Sequence, residues 1–432
     1  MTPDRDLLDS PGLPAAGADA KPHGARVALL VLAAAQIVVM FGFVLIRREP
    51  PHYDEPWYLG TVHLLHERGL SRQFLLDLPG PAGPLYTFVH ALFEPATHLR
   101  VPLVRVVNPL ILLLIMLLGY AGLRLRKSRD PLTGALAVLG VPMTWVISGM
   151  ALTELPAMLF VAVAVLMLLL VEQPNRSTPQ RLLFAALGGL SLGIAVLGRQ
   201  PFLVVLGGLP FLLRDVRRDL PPLAVFAGFT IAVTAPVFWV WRGLVPPNLA
   251  EVGRGIAWFH GMWSLCYGTV IVVLLAPAFL RLRKVEWVII IAASAALSFA
   301  LPTGHVPMQT VAMRFLPASL LPLVERGVII AGVGTAITFV VACVRRVLEH
   351  HQDRVFIMLI IATGLLLLTP MKITHVFSTR YVAMTLPLIV LAVDRFARPN
   401  YWKVLRLSIG SVLGFLSLWS YFSLARSAAT GG

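Results

Sequence analysis

Charged residues are scarce in this sequence. Asp, Glu, Lys and Arg together make up 13% of the 432 residues, about half of the share found in a typical soluble domain. Apolar residues make up 57%, and many fall in runs of roughly 17–22 residues, long enough for a helix to cross hydrocarbon. Because lipid offers no partner for backbone polar groups, such runs predict helices. The composition therefore excludes a soluble enzyme and predicts an all-α, polytopic integral membrane protein.

Cysteine is nearly absent as well. Cys266 and Cys343 both lie inside apolar runs, which excludes a disulfide framework and a cysteine-based metal site. The sequence has no phosphate-binding glycine loop, nucleophile elbow or metal-ligand spacing. No cofactor is predicted, and a divalent metal is compatible with the chain but not indicated. The net charge of +15 is explained by loop Lys and Arg residues rather than by nucleic-acid binding.

The chain divides into a polar tail and a single transmembrane domain. Residues 1–26 are rich in Asp, Pro, Ala and Gly and predict a disordered cytoplasmic tail. Residues 27–432 form the membrane domain, and its first run favours a retained anchor because no cleavage site follows it. About thirteen transmembrane helices are predicted, at residues 27–46, 104–123, 131–150, 155–171, 182–198, 201–213, 220–241, 263–280, 286–301, 328–344, 355–371, 381–393 and 405–424.

Basic residues give the orientation of these spans. A basic cluster follows the second, sixth, eighth, tenth and twelfth spans, and the positive-inside bias assigns such ends to the cytoplasm. The first external loop is then residues 47–103, where two short apolar segments, 56–68 and 83–97, predict helices that lie in the membrane interface. The clusters are Arg124, Arg126, Lys127 and Arg129; Arg214, Arg217 and Arg218; Arg281, Arg283 and Lys284; Arg345 and Arg346; and Arg395 and Arg398.

An acidic pair, Asp54 and Glu55, follows the first span and stands directly before Pro56. One interpretation is a helix cap, since an acid before a proline is well placed to cap the helix that follows. The other is catalytic: a helix N-terminus keeps a carboxylate ionised and directs it at a substrate hydroxyl. The sequence alone leaves both open.

Other polar residues fall at the outer ends of spans. Arg199 is set in an apolar run and needs an anionic partner, for which a lipid phosphate is suitable. Glu154 is a possible partner side chain, metal ligand or helix cap, and Arg380 with Tyr381 is either an anion site or an interfacial anchor. The candidate substrate-binding residues are His52, Tyr53, Glu154, Gln200, His305 and Tyr381; the candidate phosphate-binding residues are Arg199, Arg380 and Lys372.

Several short motifs resemble a family of membrane enzymes. The chain is similar to the GT-C glycosyltransferases, above all to the dolichyl-phosphate-glucose α-1,2-glucosyltransferases, whose Pro-Tyr-Met-Asp-Glu motif corresponds to Pro51-His52-Tyr53-Asp54-Glu55. Where that family has Thr-Asp, this chain has Thr153-Glu154, and the loops expected to meet the acceptor are the least similar. The further matching elements are Leu78-Pro79-Gly80, Pro84-Leu85-Tyr86, Arg105, Asn108, Arg199-Gln200, Arg380-Tyr381 and Pro387.

The resemblance implies an inverting transfer of a hexose from a polyprenyl-phosphate sugar to an acceptor hydroxyl. Asp54 is then the expected base and Glu55 orients the acceptor, while Arg199 and Arg380, with Lys372 behind them, hold the donor phosphate. The Ala/Leu/Arg/Gly-rich composition indicates a bacterial protein, with an undecaprenyl or decaprenyl carrier and a site at the outer face of the cytoplasmic membrane. The sugar, the acceptor (glycan, lipid or protein) and the oligomeric state stay open.

Two alternatives remain at this stage. One is a related GT-C enzyme that also uses an acid in its first external loop, such as a protein mannosyltransferase or a lipid A aminoarabinose transferase. The other is a transporter or flippase for a lipid-linked sugar, which predicts charges buried at mid-membrane and interrupted helices in paired positions. The polar residues of this chain collect at span ends, which favours the enzyme.

Overall fold

A computed structural model describes residues 22–251, 255–300, 317, 319–374 and 376–430. Within these ranges the chain is helical and forms no β-strand. The α-helices are α1 (Pro22–Ile46), α2 (Glu55–Arg68), α3 (Arg72–Leu76), α4 (Leu85–Thr97), α5 (Leu103–Leu125), α6 (Pro131–Leu136), α7 (Pro142–Gly149), α8 (Glu154–Val171), α9 (Thr178–Gly198), α10 (Val216–Trp241), α11 (Trp258–Leu275), α12 (Lys284–Ala300), α13 (Leu321–Glu349), α14 (Arg354–Leu368), α15 (Arg380–Ala383), α16 (Leu386–Val393) and α17 (Tyr401–Thr430). The 3₁₀ helices are Ala137–Gly140, Gln200–Leu212, Pro247–Leu249, Pro277–Leu280, Thr369–Lys372 and Asp394–Phe396.

Nine helices in the described ranges are long and apolar enough to cross a membrane, and a bent pair makes ten. These nine coincide with nine of the thirteen predicted spans, and the fold is that of an all-helical polytopic membrane protein. The other four predicted spans take shorter or interrupted forms. Residues 131–150 bend by 74° between Gly140 and Pro142, Gln200–Leu212 is a 3₁₀ helix, α12 has 17 residues, and residues 381–393 divide into α15 and α16.

Proline and glycine explain where these elements break and how closely they pack. Pro142 opens α7, where its missing N–H removes a bond that would have continued the preceding helix. Gly189 lets α9 approach α10 so closely that a Cβ there would lie 2.2 Å from the Phe226 carbonyl oxygen. A side chain at position 189 would separate the two helices.

Different ion pairs lie at the two ends of the helix bundle. At one end, which we call the basic face, Arg126 and Arg395 both donate hydrogen bonds to Asp353, at 2.9 and 3.0 Å. Arg126 follows α5, Asp353 precedes α14 and Arg395 follows α16. The charge pattern assigns these helix ends to one side of the membrane. Further pairs at the basic face are Arg181 with Asp219 and Arg345 with Glu286.

The opposite end, which we call the site face, carries Asp54, Glu55, Glu154, Arg199 and Arg380. It is partly covered by residues 47–102, whose helices α2 and α4 lie where the sequence predicts them. At 14 and 13 residues, both are too short to cross the hydrocarbon. A Cβ at Gly83 would lie 2.1 Å from the Leu197 carbonyl oxygen, so only glycine lets this segment rest on the end of α9.

Candidate active site

Asp54 immediately precedes α2, but its side chain does not cap that helix. Its Oδ2 atom instead accepts a hydrogen bond of 2.7 Å from Arg380 Nη2, across 326 positions of sequence. The Asp54 side chain is 34% exposed and that of Arg380 17% exposed. The geometry contradicts the capping interpretation and leaves Asp54 as an accessible carboxylate.

Arg380 is held at the start of α15 by contacts on two sides. Its Nε donates to Ser378 Oγ at 3.2 Å, and its Nη2 donates to Asp54. Burial alone lowers the pKa of Arg380, but the charges of Glu154 and Asp54 raise this pKa by more, so it lies above the usual arginine value. The guanidinium is therefore a permanent cation beside two carboxylates.

A second ion pair joins Arg199, at the end of α9, to Glu154, at the start of α8. Arg199 Nη2 donates to Glu154 Oε1, and the two side chains are 8% and 0% exposed. A buried arginine in an apolar setting needs such a partner. Glu154 therefore provides the anionic partner that the sequence predicts for Arg199.

Tyr58 lies within electrostatic reach of both ion pairs. Burial raises the pKa of Tyr58, Arg199 opposes that rise, and the charges of Glu154, Asp54 and Arg380 act on it as well. Arg199 and Arg380 also act on each other. Asp54, Glu154, Arg199 and Arg380 are therefore brought together around one buried phenol, although they come from four separate parts of the chain.

Glu55 occupies a different position from its neighbour. Its two oxygens accept hydrogen bonds from Arg105 Nε at 2.8 Å and Nη2 at 2.6 Å, and both side chains are completely buried. The backbone N–H groups of Ala151 and His52 donate to the same carboxylate at 2.8 and 3.1 Å. The predicted contact of Glu55 with an acceptor does not fit this geometry, because both oxygens are occupied and neither is accessible.

The segment after α7 is held from several directions. Asn108 Nδ2 donates to the carbonyl oxygens of Ile147, Met150 and Leu152 at 2.6–3.1 Å. The Tyr86 hydroxyl donates to the Ala151 carbonyl oxygen at 3.2 Å, and Glu55 accepts from the Ala151 N–H. These bonds replace the helical bonds that the segment lacks and fix the chain as it approaches Glu154.

The remaining candidates near Asp54 have positioning contacts. The His52 ring packs against Phe422, with centroids 4.7 Å apart, and Tyr53 takes a left-handed φ of 52°. Tyr53 is 49% exposed, and its ring lies 5.0 Å from that of Tyr421. Gln200 donates through Nε2 to the Pro81 carbonyl oxygen, which ties the first loop to the end of α9.

The other predicted site residues have three different outcomes. Tyr381 is half-buried and lies within electrostatic reach of Arg199, so it belongs with the cluster. Lys372 is exposed and makes no ion pair with the described residues, so its role as a phosphate ligand stays a prediction. His305 lies outside the described residues.

Several buried polar atoms near the ion pairs have no hydrogen-bond partner among the described residues. They are Thr153 Oγ1, Glu154 Oε2 and Arg199 Nε. Because an unsatisfied buried polar atom is costly, these atoms indicate a place for a small polar group. In the described part of the chain, no three His, Cys, Asp or Glu side chains converge in a way that could hold a metal ion.

Sequence reasoning missed four residues that shape this site. Arg105 and Asn108 matched motif positions, but nothing assigned them to Glu55 or to the segment after α7. Tyr58 and Tyr421 carried no signal at all. An aromatic residue in an apolar stretch has the same appearance in a sequence whether it lines a site or fills the core.

Comparison with known proteins adds a general likeness. No family model matches the sequence, and no curated protein matches it. Two structures of ArnT from Cupriavidus metallidurans are similar. The structure bound to undecaprenyl phosphate aligns over 94% of this chain and 78% of ArnT, at 14% identity and a TM-score of 0.46. The apo structure aligns over 90% and 77%, at 16% identity and a TM-score of 0.40.

Proposed function

We propose that this chain is an integral membrane glycosyltransferase that moves a hexose from a polyprenyl-phosphate donor to an acceptor hydroxyl with inversion. The observation that carries the proposal is the contact between Asp54 and Arg380 at 2.7 Å. It unites an accessible carboxylate with a permanent cation at the end of an apolar bundle. Such a pair suits a reaction in which a hydroxyl loses a proton and a phosphate departs.

Asp54 is the proposed general base. Its Oδ2 takes the hydrogen bond from Arg380, and Oδ1 is left to accept the proton of the acceptor hydroxyl as that oxygen attacks the anomeric carbon. The bond from the anomeric carbon to the phosphate oxygen breaks on the opposite side, which inverts the configuration. A positioned carboxylate of this kind contributes roughly 10²–10⁴-fold to a rate.

Arg380 and Arg199 are the proposed phosphate ligands. Arg199 Nε is a buried donor without a described partner, and the hydrogen bonds of Arg380 use only Nε and Nη2. The donors that remain can bind phosphate oxygens and stabilise the charge that grows as the sugar leaves. We assign Glu55 a positioning role through Arg105 and the Ala151 N–H, rather than contact with the acceptor.

The apolar surroundings support a lipid-borne donor. The site lies where spanning helices end, so a phosphate at the site face can keep its hydrocarbon tail among the helices. We place the site at the outer face of a bacterial cytoplasmic membrane, as the basic clusters at the opposite face predict. The carrier would be undecaprenyl or decaprenyl phosphate.

A transporter is the less favoured alternative. In the described spanning helices, every Asp, Glu, Lys and Arg lies within six residues of a helix end. Mid-membrane charges of the kind that mark transport paths do not occur in those helices. Among enzymes, an amino sugar in place of a neutral hexose stays open.

The test is a donor screen with purified protein. Radiolabelled polyprenyl-phosphate hexoses, together with an amino-sugar donor, would be incubated with membranes that supply acceptor. We expect one donor to be consumed by the native protein and, at roughly 10²–10⁴-fold lower rate, by Asp54→Asn.

Asp77→Asn is the matched control. Asp77 belongs to the same loop and also pairs with an arginine, Arg68, but it lies outside the cluster, so this variant should keep native activity. Consumption of no donor, or equal rates for native protein and Asp54→Asn, would contradict the proposed function.

A further inference from the structure

A groove of about 900 Å³ lies beside α10, between that helix and Gln200–Leu212. Its walls include Leu203, Ile231 and Phe238. Trp239 also lines it and is 84% exposed. The groove is separate from the cluster around Asp54, since none of the four charged residues of that cluster lines it.

Two arginines border the end of the groove at the site face. Arg72 belongs to α3 and Arg242 follows the last residue of α10, and both line the groove and are exposed. Neither side chain has a hydrogen-bond or ion-pair partner among the described residues. Two guanidinium groups that lack such a partner, at the mouth of an apolar groove, are complementary to a phosphate that carries a hydrocarbon chain.

The length of the groove matches one membrane leaflet. From Ile231 to Arg242 the axis of α10 rises by about 16 Å, at about 1.5 Å per residue. The hydrocarbon of one leaflet is half of roughly 30 Å. An acyl chain anchored by a headgroup at Arg72 and Arg242 would therefore lie along the groove without entering the opposite leaflet.

We propose that this groove is a binding site for an anionic phospholipid. Its phosphate lies between Arg72 and Arg242, and one acyl chain packs along α10 against Ile231, Phe238 and Trp239. This inference does not depend on the proposed transferase activity, because it uses no residue of the cluster around Asp54.

Trp239 provides the reporter for a test. The full-length chain is reconstituted in phosphatidylcholine vesicles that contain either brominated phosphatidylglycerol or, at the same mole fraction, brominated phosphatidylcholine. Bromine quenches tryptophan fluorescence on contact, and the difference between native protein and Trp239→Phe isolates the Trp239 signal. We expect stronger quenching of that signal by the anionic lipid.

Charge variants then test the headgroup contact. In Arg72→Gln/Arg242→Gln the preference for the anionic lipid should fall about fivefold per arginine removed. Arg100→Gln, an exposed arginine at the site face that does not line the groove, should keep the native preference. Equal quenching by both lipids in the native protein, or an unchanged preference in the double variant, would overturn the proposal. Displacement of brominated phosphatidylglycerol by polyprenyl phosphate at a much lower mole fraction than by unlabelled phosphatidylglycerol would also overturn it.

Discussion

At the basic face, Asp353 is shared by Arg126 and Arg395, and the Asp353 and Arg395 side chains are 30% and 39% exposed. At the site face, Glu55 and Arg105 form an ion pair in which both side chains are completely buried. Exposed pairs contribute little stability and tolerate change, whereas a buried pair is costly to break. The contrast between these two pairs indicates that the contacts of Asp353 tolerate change, whereas Glu55 and Arg105 hold a fixed geometry beside the accessible carboxylate of Asp54.

The largest expected effect tests the stability side of this contrast. Glu55→Gln would leave the Arg105 charge buried without a counter-charge, so it should lower the free energy of unfolding by roughly 3–5 kcal/mol. Thermal unfolding in detergent would show this as a large fall in the midpoint. The matched variant at the basic face, Glu349→Gln, breaks pairs whose carboxylate is 35% exposed and should cost less than about 1 kcal/mol.

Equal losses in the two variants would remove the distinction between the buried pair and the exposed pairs. A small loss for Glu55→Gln would mean that Arg105 finds another partner, such as the Glu49 and Pro50 carbonyl oxygens to which it already donates at 3.0 and 3.2 Å.

The titration of a buried histidine gives a second, smaller contrast with the basic face. Burial lowers the pKa of His90, in α4, to about 3, whereas an unfolded histidine has a pKa of about 6.5. Between these values only the unfolded chain binds the proton, so stability falls as the pH drops from about 6.5 to about 3, by about 1.4 kcal/mol per pH unit. Between neutral pH and a pH of about 5, the thermal unfolding midpoint of His90→Leu should fall by less than that of the native protein.

His351→Leu is the control at the basic face, where the side chain is exposed and the variant should follow the native acid profile. If His90→Leu and the native protein lose the same midpoint on acidification, the neutral buried imidazole is not a source of acid sensitivity.

Much of this organisation could be predicted from the sequence. Apolar runs located nine long helices, and basic clusters sorted the span ends so that Asp54, Arg199 and Arg380 were expected on one side. Their partners could not be predicted, because hydropathy gives the side on which a residue lies and not its neighbour. The pairing of Asp54 with Arg380 joins positions 326 residues apart.

The local breaks were also beyond the sequence. Residues 131–150 have the composition of a continuous span, and the bend before Pro142 depends on what the following segment can bond to. Asn108 supplies the hydrogen bonds by donating to three carbonyl oxygens of that segment and the end of α7. Glu55 and Asp54 are adjacent in sequence, but only the packing of α5 decides that Glu55 meets Arg105 while Asp54 stays accessible.

The central claim is that Asp54 and the proposed phosphate ligand Arg380 share one compartment, so that the carboxylate competes with the donor phosphate for the guanidinium. The direct measurement is the affinity of purified Asp54→Asn for polyprenyl phosphate, beside that of Arg380→Gln. Removal of the Asp54 charge should tighten binding by up to about fivefold, the value of a partly exposed pair, while Arg380→Gln weakens it. Weaker or unchanged binding of the carrier by Asp54→Asn would contradict the account.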